Sequence, residues 1–178
     1  MYSVKDTDSL YSLRDLRVII VDDNAHMRTL VGTVLGALGI VDYHTAKHGT
    51  EAINTLESTP FDLIITDWRM RPIDGITLTR MIRRNETKVS PYIPIILMTG
   101  HTDRGNIFEA RDAGVTEILA KPITPKAVYD RLVAIIEKPR PFVRAKGYVG
   151  PCRRRIQKDW YPDERDRRGK GATKSVRR

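Results

Sequence analysis

Five polar residues stand where apolar runs end. Asp22 and Asp23 follow the run RVIIV (17–21), Asp67 follows FDLIIT (61–66), Thr99 follows IPIILM (93–98) and Lys121 follows EILA (117–120). A carboxylate at the end of such a run is costly unless it reaches solvent or meets a cation. If the runs lie side by side, three carboxylates converge, and their mutual repulsion rises as water is excluded. All three remain ionised only when a cation joins them. An all-oxygen ligand set that leaves several waters in place suits Mg²⁺. A hydroxyl and an ammonium beside that cation form a cradle for a dianionic phosphoryl group.

The elements that must position these residues alternate regularly. Strands are expected at 17–21, 41–46, 61–66, 93–98 and 117–120, and helices at 25–38, 50–56, 75–83, 106–113 and 125–136. Between 25 and 38 the apolar residues Met27, Leu30, Val31, Val34, Leu35 and Leu38 recur at helical spacing, with Asn24 as a cap and Gly39 past the end. Asp74-Gly75 suits a helix start on structural grounds alone. The strands at 61–66 and 93–98 are apolar on both faces, so helices must cover both sides of a mostly parallel sheet. Right-handed crossovers leave few topologies. Ligands of such sheets sit at the carboxyl ends of the strands, where the five polar residues stand.

The segments VDDNAHMR (21–28), DLIITDWRM (62–70) followed by Asp74-Gly75, ILMTGH (96–101) and ILAKP (118–122) resemble the receiver domain of bacterial two-component response regulators. The resemblance covers residues 14–138 and implies a five-stranded α/β fold of strand order 2-1-3-4-5. It also implies that Asp67 takes a phosphoryl group from the phosphohistidine of a sensor histidine kinase or a histidine phosphotransfer protein. Asp22, Asp23, Asp67 and the backbone carbonyl of Arg69 would hold Mg²⁺. Thr99 and Lys121 would receive phosphoryl oxygens, Gly100 would leave room for them, and Lys121-Pro122 would be cis. Such a protein catalyses only its own phosphorylation and dephosphorylation, turns over no external metabolite and changes its binding to a downstream protein partner.

The sequence departs from that family at four places. Arg71 stands where the family has Pro, with Pro72 one residue later. Arg69 follows the acceptor by two and is expected to alter dephosphorylation. Ile118 occupies the aromatic switch position that normally answers Thr99. His101 lies at the rim and is expected to face solvent. The pair His44 and His48 is not expected to share a face, so a metal pair there is disfavoured. Met27, Met70, Met81 and Met98 fit core positions. The outer face of the last two helices and fifth strand is the family's usual partner surface, with Asn106, Ala110 and Lys126 expected near it. Rival sites fit poorly. The nucleotide loop Gly-x-x-x-x-Gly-Lys-Ser/Thr is absent. Adjacent Asp22 and Asp23 repel phosphate without a metal, and they do not form the Asp-x-Asp of a haloacid-dehalogenase-type phosphatase.

Charge divides the chain. Residues 1–138 carry 17 Lys and Arg against 18 Asp and Glu, whereas residues 139–178 carry 14 against 4, so the net charge of +9 resides in the tail. The divisions expected are an N-terminal arm (1–13), the receiver (14–138) and a basic, flexible tail (139–178) rich in Pro and Gly. Three further readings of the tail stay open. Phe142, Val143, Tyr148 and Val149 could dock on the receiver or on a partner. Arg153, Arg154 and Arg155, interleaved with Tyr148, Trp160 and Tyr161, could bind nucleic acid through its phosphates. An acidic lipid surface is the third. If nucleic acid is the target, the protein is a regulator whose tail is the output gated by the receiver. The single cysteine, Cys152, excludes an internal disulfide. With no apolar run of about 18 residues and a polar N-terminus, a cytoplasmic location is expected.

Overall fold

A computed structural model of the chain describes residues 13–100, 103–145 and 147–152. After a short 3-10 turn at Leu13–Asp15, strands and helices alternate: β1 (Val18–Val21), α1 (Ala25–Ala37), β2 (Tyr43–Ala46), α2 (Gly49–Ser58), β3 (Leu63–Asp67), α3 (Gly75–Arg83), β4 (Ile95–Thr99), α4 (Arg104–Ala113), β5 (Glu117–Ala120) and α5 (Pro125–Glu137). The sheet has the order β2-β1-β3-β4-β5 with every neighbouring pair parallel, the doubly wound arrangement that the resemblance implied.

Alternation along the strands builds a core on each face. Val18, Ile20, Leu63, Ile65, Ile96 and Met98 point towards α1 and α5, where Val31, Leu35, Val128 and Leu132 meet them. Ile19, Val21, Ile64 and Ile95 face the other way, towards Ala52 and Leu56 of α2 and Leu78 and Ile82 of α3. Each such side chain contributes about 1.5–3 kcal/mol on leaving water. A third, smaller cluster joins Ile76, Leu97, Ala110, Ala113 and Val115, with half-buried Trp68 and Ile118 against it. Ala110 is therefore fully buried, which removes it from any partner surface.

Each of α1 to α5 starts on a side-chain cap placed just beyond a strand end. Asn24, Asp74, Asp103 and Thr124 accept from backbone N–H groups of the first turn, and His48 does so through Nδ1. Each cap is worth about 1 kcal/mol and fixes the loop in which the strand-end residues lie. His48 is thereby committed to α2, while His44 sits edge-on to Phe61, 5.2 Å between centroids, so the two do not form a metal pair.

Beyond α5 the chain is ordered further than its composition suggests. Strands β6 (Phe142–Ala145) and β7 (Tyr148–Pro151) pair antiparallel, with Gly147 in the connection at φ +80. The hairpin lies at the amino-terminal end of β4 and β5. There Phe142 meets Tyr92 edge-on at 5.4 Å and covers the Arg83 guanidinium at 5.1 Å. Arg140 donates to the carbonyls of Thr116 and Cys152. Among the readings of the tail, docking on the receiver describes residues 142–151. The run Arg153–Arg155, with Trp160 and Tyr161, lies outside the described residues, as do His101 and residues 1–12.

Candidate functional site: an acidic cluster with one ammonium

The site forms at the carboxyl ends of β1, β3, β4 and β5. The ladder continues one residue past β1, because the Asp22 N–H donates to the Ala46 carbonyl at 3.1 Å, and so Asp22 is held at the sheet end. Its Oδ1 accepts from the Asn24 N–H at 2.8 Å. Arg28, one turn into α1, donates to the Asp22 carbonyl at 2.7 Å and the Asp23 carbonyl at 3.3 Å, pinning the acidic loop to the helix. Sequence reasoning gave Arg28 no role; its position six residues after Asp22 was the available signal.

Asp67 is the last residue of β3 and is 7% exposed. Its Oδ2 accepts from the Arg69 N–H at 2.9 Å. The chain then turns so tightly into α3 that the Gly75 N–H donates to the Trp68 carbonyl at 3.0 Å. A Cβ on Gly75 would collide with the Asp67 carbonyl, which is a physical reason for glycine here. Lys121 follows β5 and places Nζ 2.7 Å from Asp67 Oδ1 and 3.6 Å from Asp22 Oδ2. Its own N–H donates to the Thr99 carbonyl at 2.8 Å, tying the ends of β4 and β5 together. The Lys121–Pro122 bond is cis, as the resemblance implied, and so is Arg71–Pro72 in the altered loop.

The electrostatics leave negative charge over. Carboxylate oxygens of Asp22, Asp23 and Asp67 all lie within 4.8 Å of one another. Burial pushes the Asp22 carboxyl above its ordinary value; the charges of Asp67 and Asp23 add to this, while the Asn24 hydrogen bond and Lys121 oppose it. Burial alone would lower Lys121, but its hydrogen bond to Asp67 and the charges of Asp67 and Asp22 outweigh that and hold the ammonium above its ordinary value. Lys121 is therefore charged at neutral pH and offsets one carboxylate of the three. Among the described residues Asp22 Oδ2, which is buried, has no hydrogen-bond partner. An all-oxygen set with one orphaned, buried carboxylate oxygen fits a hard divalent cation.

Beside this cluster is a cleft of about 260 Å³ lined by Asp67, Trp68, Arg69, Thr99, Gly100, Asn106 and Lys121. A water's share of liquid volume is about 30 Å³, so the cleft has room for a phosphoryl group and several waters. The structure thus brings together Asp22, Asp23, Asp67, Arg69, Thr99 and Lys121. Trp68 and Asn106 join them as walls: Trp68 was not anticipated, and Asn106 was expected on the partner face. Their signal was their place, one residue past the acceptor strand and one turn into the helix after Thr99. Ile118 is not a wall of the cleft. It packs against the third cluster, as Trp68 does, while its carbonyl accepts from Arg131 Nε at 2.8 Å.

This fold and this strand-end constellation place the chain among signalling receivers, and comparison with known proteins gives the same result. The family described as response regulator receiver domain matches residues 18–133, and the chain belongs to it. Chemotaxis protein CheY of Pseudomonas aeruginosa is 33% identical over 123 residues, covering 69% of this chain and 98% of that protein. Chemotaxis protein CheY-3 of Vibrio cholerae is 33% identical over 125 residues, covering 70% and 95%. Among solved structures, CheY4 of Vibrio cholerae superposes with a TM-score of 0.62 at 27% identity, covering 68% of this chain and 98% of that one. The receiver domain of a Pseudomonas aeruginosa sensor histidine kinase, with a magnesium ion coordinated in its active site cleft, gives 0.62 at 27% identity, covering 69% and 98%. The protein is thus a receiver of two-component signalling, a phosphoacceptor family whose members work with histidine kinases and downstream partners. Among the described residues no helix is long and apolar enough to cross a membrane.

Proposed function

We propose that Asp67 accepts a phosphoryl group from the phosphohistidine of a sensor histidine kinase or histidine phosphotransfer protein in the cytoplasm. In the transfer an Asp67 carboxylate oxygen forms a bond to phosphorus as the phosphorus–nitrogen bond of the donor breaks and the imidazole leaves. Asp22, Asp23, Asp67 and the Arg69 carbonyl would hold Mg²⁺, which supplies positive charge for the crowded attacking and transferring oxygens. Lys121 pairs with Asp67 beforehand and moves its charge to a phosphoryl oxygen afterwards. The Thr99 hydroxyl donates to another oxygen, and Gly100 keeps the approach open. Asn24 and Arg28 position Asp22 and Asp23, and Trp68 and Asn106 bound the space open to water. Phosphorylation then changes the affinity of the receiver for a protein partner.

The observation that carries this reading is the Lys121 ammonium 2.7 Å from Asp67 Oδ1, inside a group of three carboxylates with one oxygen unsatisfied. Acetyl phosphate with Mg²⁺ should add one phosphoryl group to the protein, read by intact mass, and none to Asp67→Ala. Equal labelling of the two proteins would overturn the assignment. The related sensor-kinase receiver with magnesium in its cleft supports the choice of metal. The nucleic-acid reading of the basic tail draws no support from the described residues.

A further inference from the structure

The hairpin at the amino end of the sheet does more than cover apolar surface. Its strand β7 lies against α4. Two glycines meet there, Gly150 of β7 and Gly114. A Cβ on Gly150 would come within 2.8 Å of Tyr148 Oη and 2.9 Å of the Gly114 Cα, and a Cβ on Gly114 within 2.9 Å of both Arg83 Cγ and the Val149 carbonyl oxygen. Gly114, at φ +95, is the left-handed residue that ends α4. The backbone of β7 is therefore seated directly on the C-terminal cap of that helix. Arg140 donates to the Thr116 carbonyl at 3.0 Å, and Phe142 covers Arg83, which itself donates to the Gly114 carbonyl at 2.9 Å.

The other end of α4 is at the acceptor. Asn106, in its first turn, lines the cleft with Asp67 and Thr99. Between the two ends runs one packed cluster: Trp68, beside Asp67, touches the group formed by Leu97, Ile76, Ala110, Ala113 and Val115. Ala113 and Val115 flank Gly114, the residue beneath the hairpin. A rigid helix and a contiguous apolar cluster thus span the distance from the cleft to β7.

We propose that the Phe142–Pro151 hairpin is an intramolecular brace on the C-terminal end of α4, linked through the Trp68–Ala110–Val115 cluster to the phosphoacceptor, so that hairpin docking and phosphorylation oppose each other. The sign follows from the contacts. The docked arrangement is one in which Lys121 bonds directly to the Asp67 carboxylate. Phosphorylation requires that contact to be remade on a phosphoryl oxygen beside Trp68 and Asn106, at the far end of the same cluster. The brace holds the free-carboxylate arrangement, and linkage requires a filled cleft to loosen the hairpin by the factor by which the hairpin weakens filling.

This inference rests on the phosphoacceptor reading, and the test separates the two. Full-length protein in a Trp160→Phe background is titrated with beryllofluoride and Mg²⁺, a mimic of the bound phosphoryl group, with Trp68 fluorescence as the readout. Gly150→Val has no unfavourable backbone angle to fight and wedges β7 off Gly114; Phe142→Ala removes the cover on Arg83 and is the milder second variant. Each should tighten beryllofluoride binding, Gly150→Val by about fivefold, and amide exchange across β6 and β7 of the wild type should speed up by a similar factor when beryllofluoride is bound. Unchanged or weaker binding in both variants, with hairpin exchange unaffected by beryllofluoride, overturns the brace while leaving the acceptor site standing. No response of the wild type to beryllofluoride overturns the acceptor reading and the brace together.

Discussion

The two ends of the sheet treat buried charge in opposite ways. At the carboxyl end, among the described residues, three carboxylates face one ammonium and Asp22 Oδ2 has no hydrogen-bond partner. At the amino end the cation Arg83 is 3% exposed, with each guanidinium nitrogen directed at a neutral oxygen: the Gly114 carbonyl at 2.9 Å, the Pro91 carbonyl at 2.8 Å and Thr116 Oγ1 at 3.5 Å. Burial lowers Arg83 only to about 10, so it stays charged at neutral pH. One end is satisfied within the chain and acts as structure. The other is unbalanced within the chain, and that imbalance fits it for a cation and a phosphoryl group arriving from outside.

The largest effect that tests this contrast falls at the satisfied end. Arg83→Met keeps the aliphatic stem but leaves the carbonyls of Gly114 and Pro91 without their donor and Phe142 without its cation. Each acceptor left buried costs about 1–3 kcal/mol, so urea denaturation should show a loss of about 3 kcal/mol, independent of Mg²⁺. A loss below about 0.5 kcal/mol would mean that the guanidinium is not a structural hub and that the contrast fails.

The second effect is smaller and has the opposite sign. The Asp22 carboxyl titrates above its ordinary 3.8 in the folded protein. A group raised on folding favours the folded state below its unfolded pKa and loses that contribution as pH rises through the folded value. At neutral pH the buried, ionised Asp22 is therefore a net cost when no divalent cation offsets it. Asp22→Asn keeps the oxygen that accepts from Asn24 and removes the charge. Without Mg²⁺ it should be more stable than wild type at pH 7, with the gap closing as the pH falls through the raised folded value and closed once it is below 3.8. Added Mg²⁺ should raise the wild-type melting temperature and leave the variant's unchanged. A variant less stable than wild type at pH 7 without metal would remove the idea that this end is held in electrostatic debt.

Legibility in the sequence follows the same divide. The site end could be read because strand-end positions are set by the period of the apolar runs, and Asp22, Asp23, Asp67, Thr99 and Lys121 each interrupt such a run. The sheet order needed family resemblance, because periodicity cannot rank strands. The hairpin was harder. Phe142-Val143-Arg144-Ala145 and Tyr148-Val149-Gly150-Pro151 flank Lys146-Gly147, a short-turn signal in retrospect. Charge and Pro-Gly content pointed to a solvated tail, and nothing local showed that a buried Arg83 and a bare Gly114 waited to receive it. Asn106 and Ala110 illustrate the remaining limit. Helical spacing puts residues four apart on one side of a helix, but here one lines the cleft and the other is sealed in the third cluster, a distinction that depends on how α4 is tilted against β4 and β5.

The smallest predicted effect lies within the site and separates charge from access. The Arg69 backbone N–H holds Asp67 Oδ2 at 2.9 Å, and its side chain is exposed at the mouth of the cleft. Asn at this position keeps the backbone donor and shortens the side chain, so water reaches the aspartyl phosphate more freely. Arg69→Asn should shorten the aspartyl-phosphate half-life by about threefold, roughly 0.65 kcal/mol in barrier height, with no change in the yield of phosphorylation by acetyl phosphate. Arg69→Lys separates the two causes, because it keeps a long cationic side chain: a half-life like that of wild type assigns the effect to covering and charge, and one like that of Asn assigns it to the guanidinium shape. An unchanged half-life in Arg69→Asn would show that the mouth of the cleft does not set the rate, which would leave Trp68 and Asn106 as the walls that keep water from the phosphoryl group.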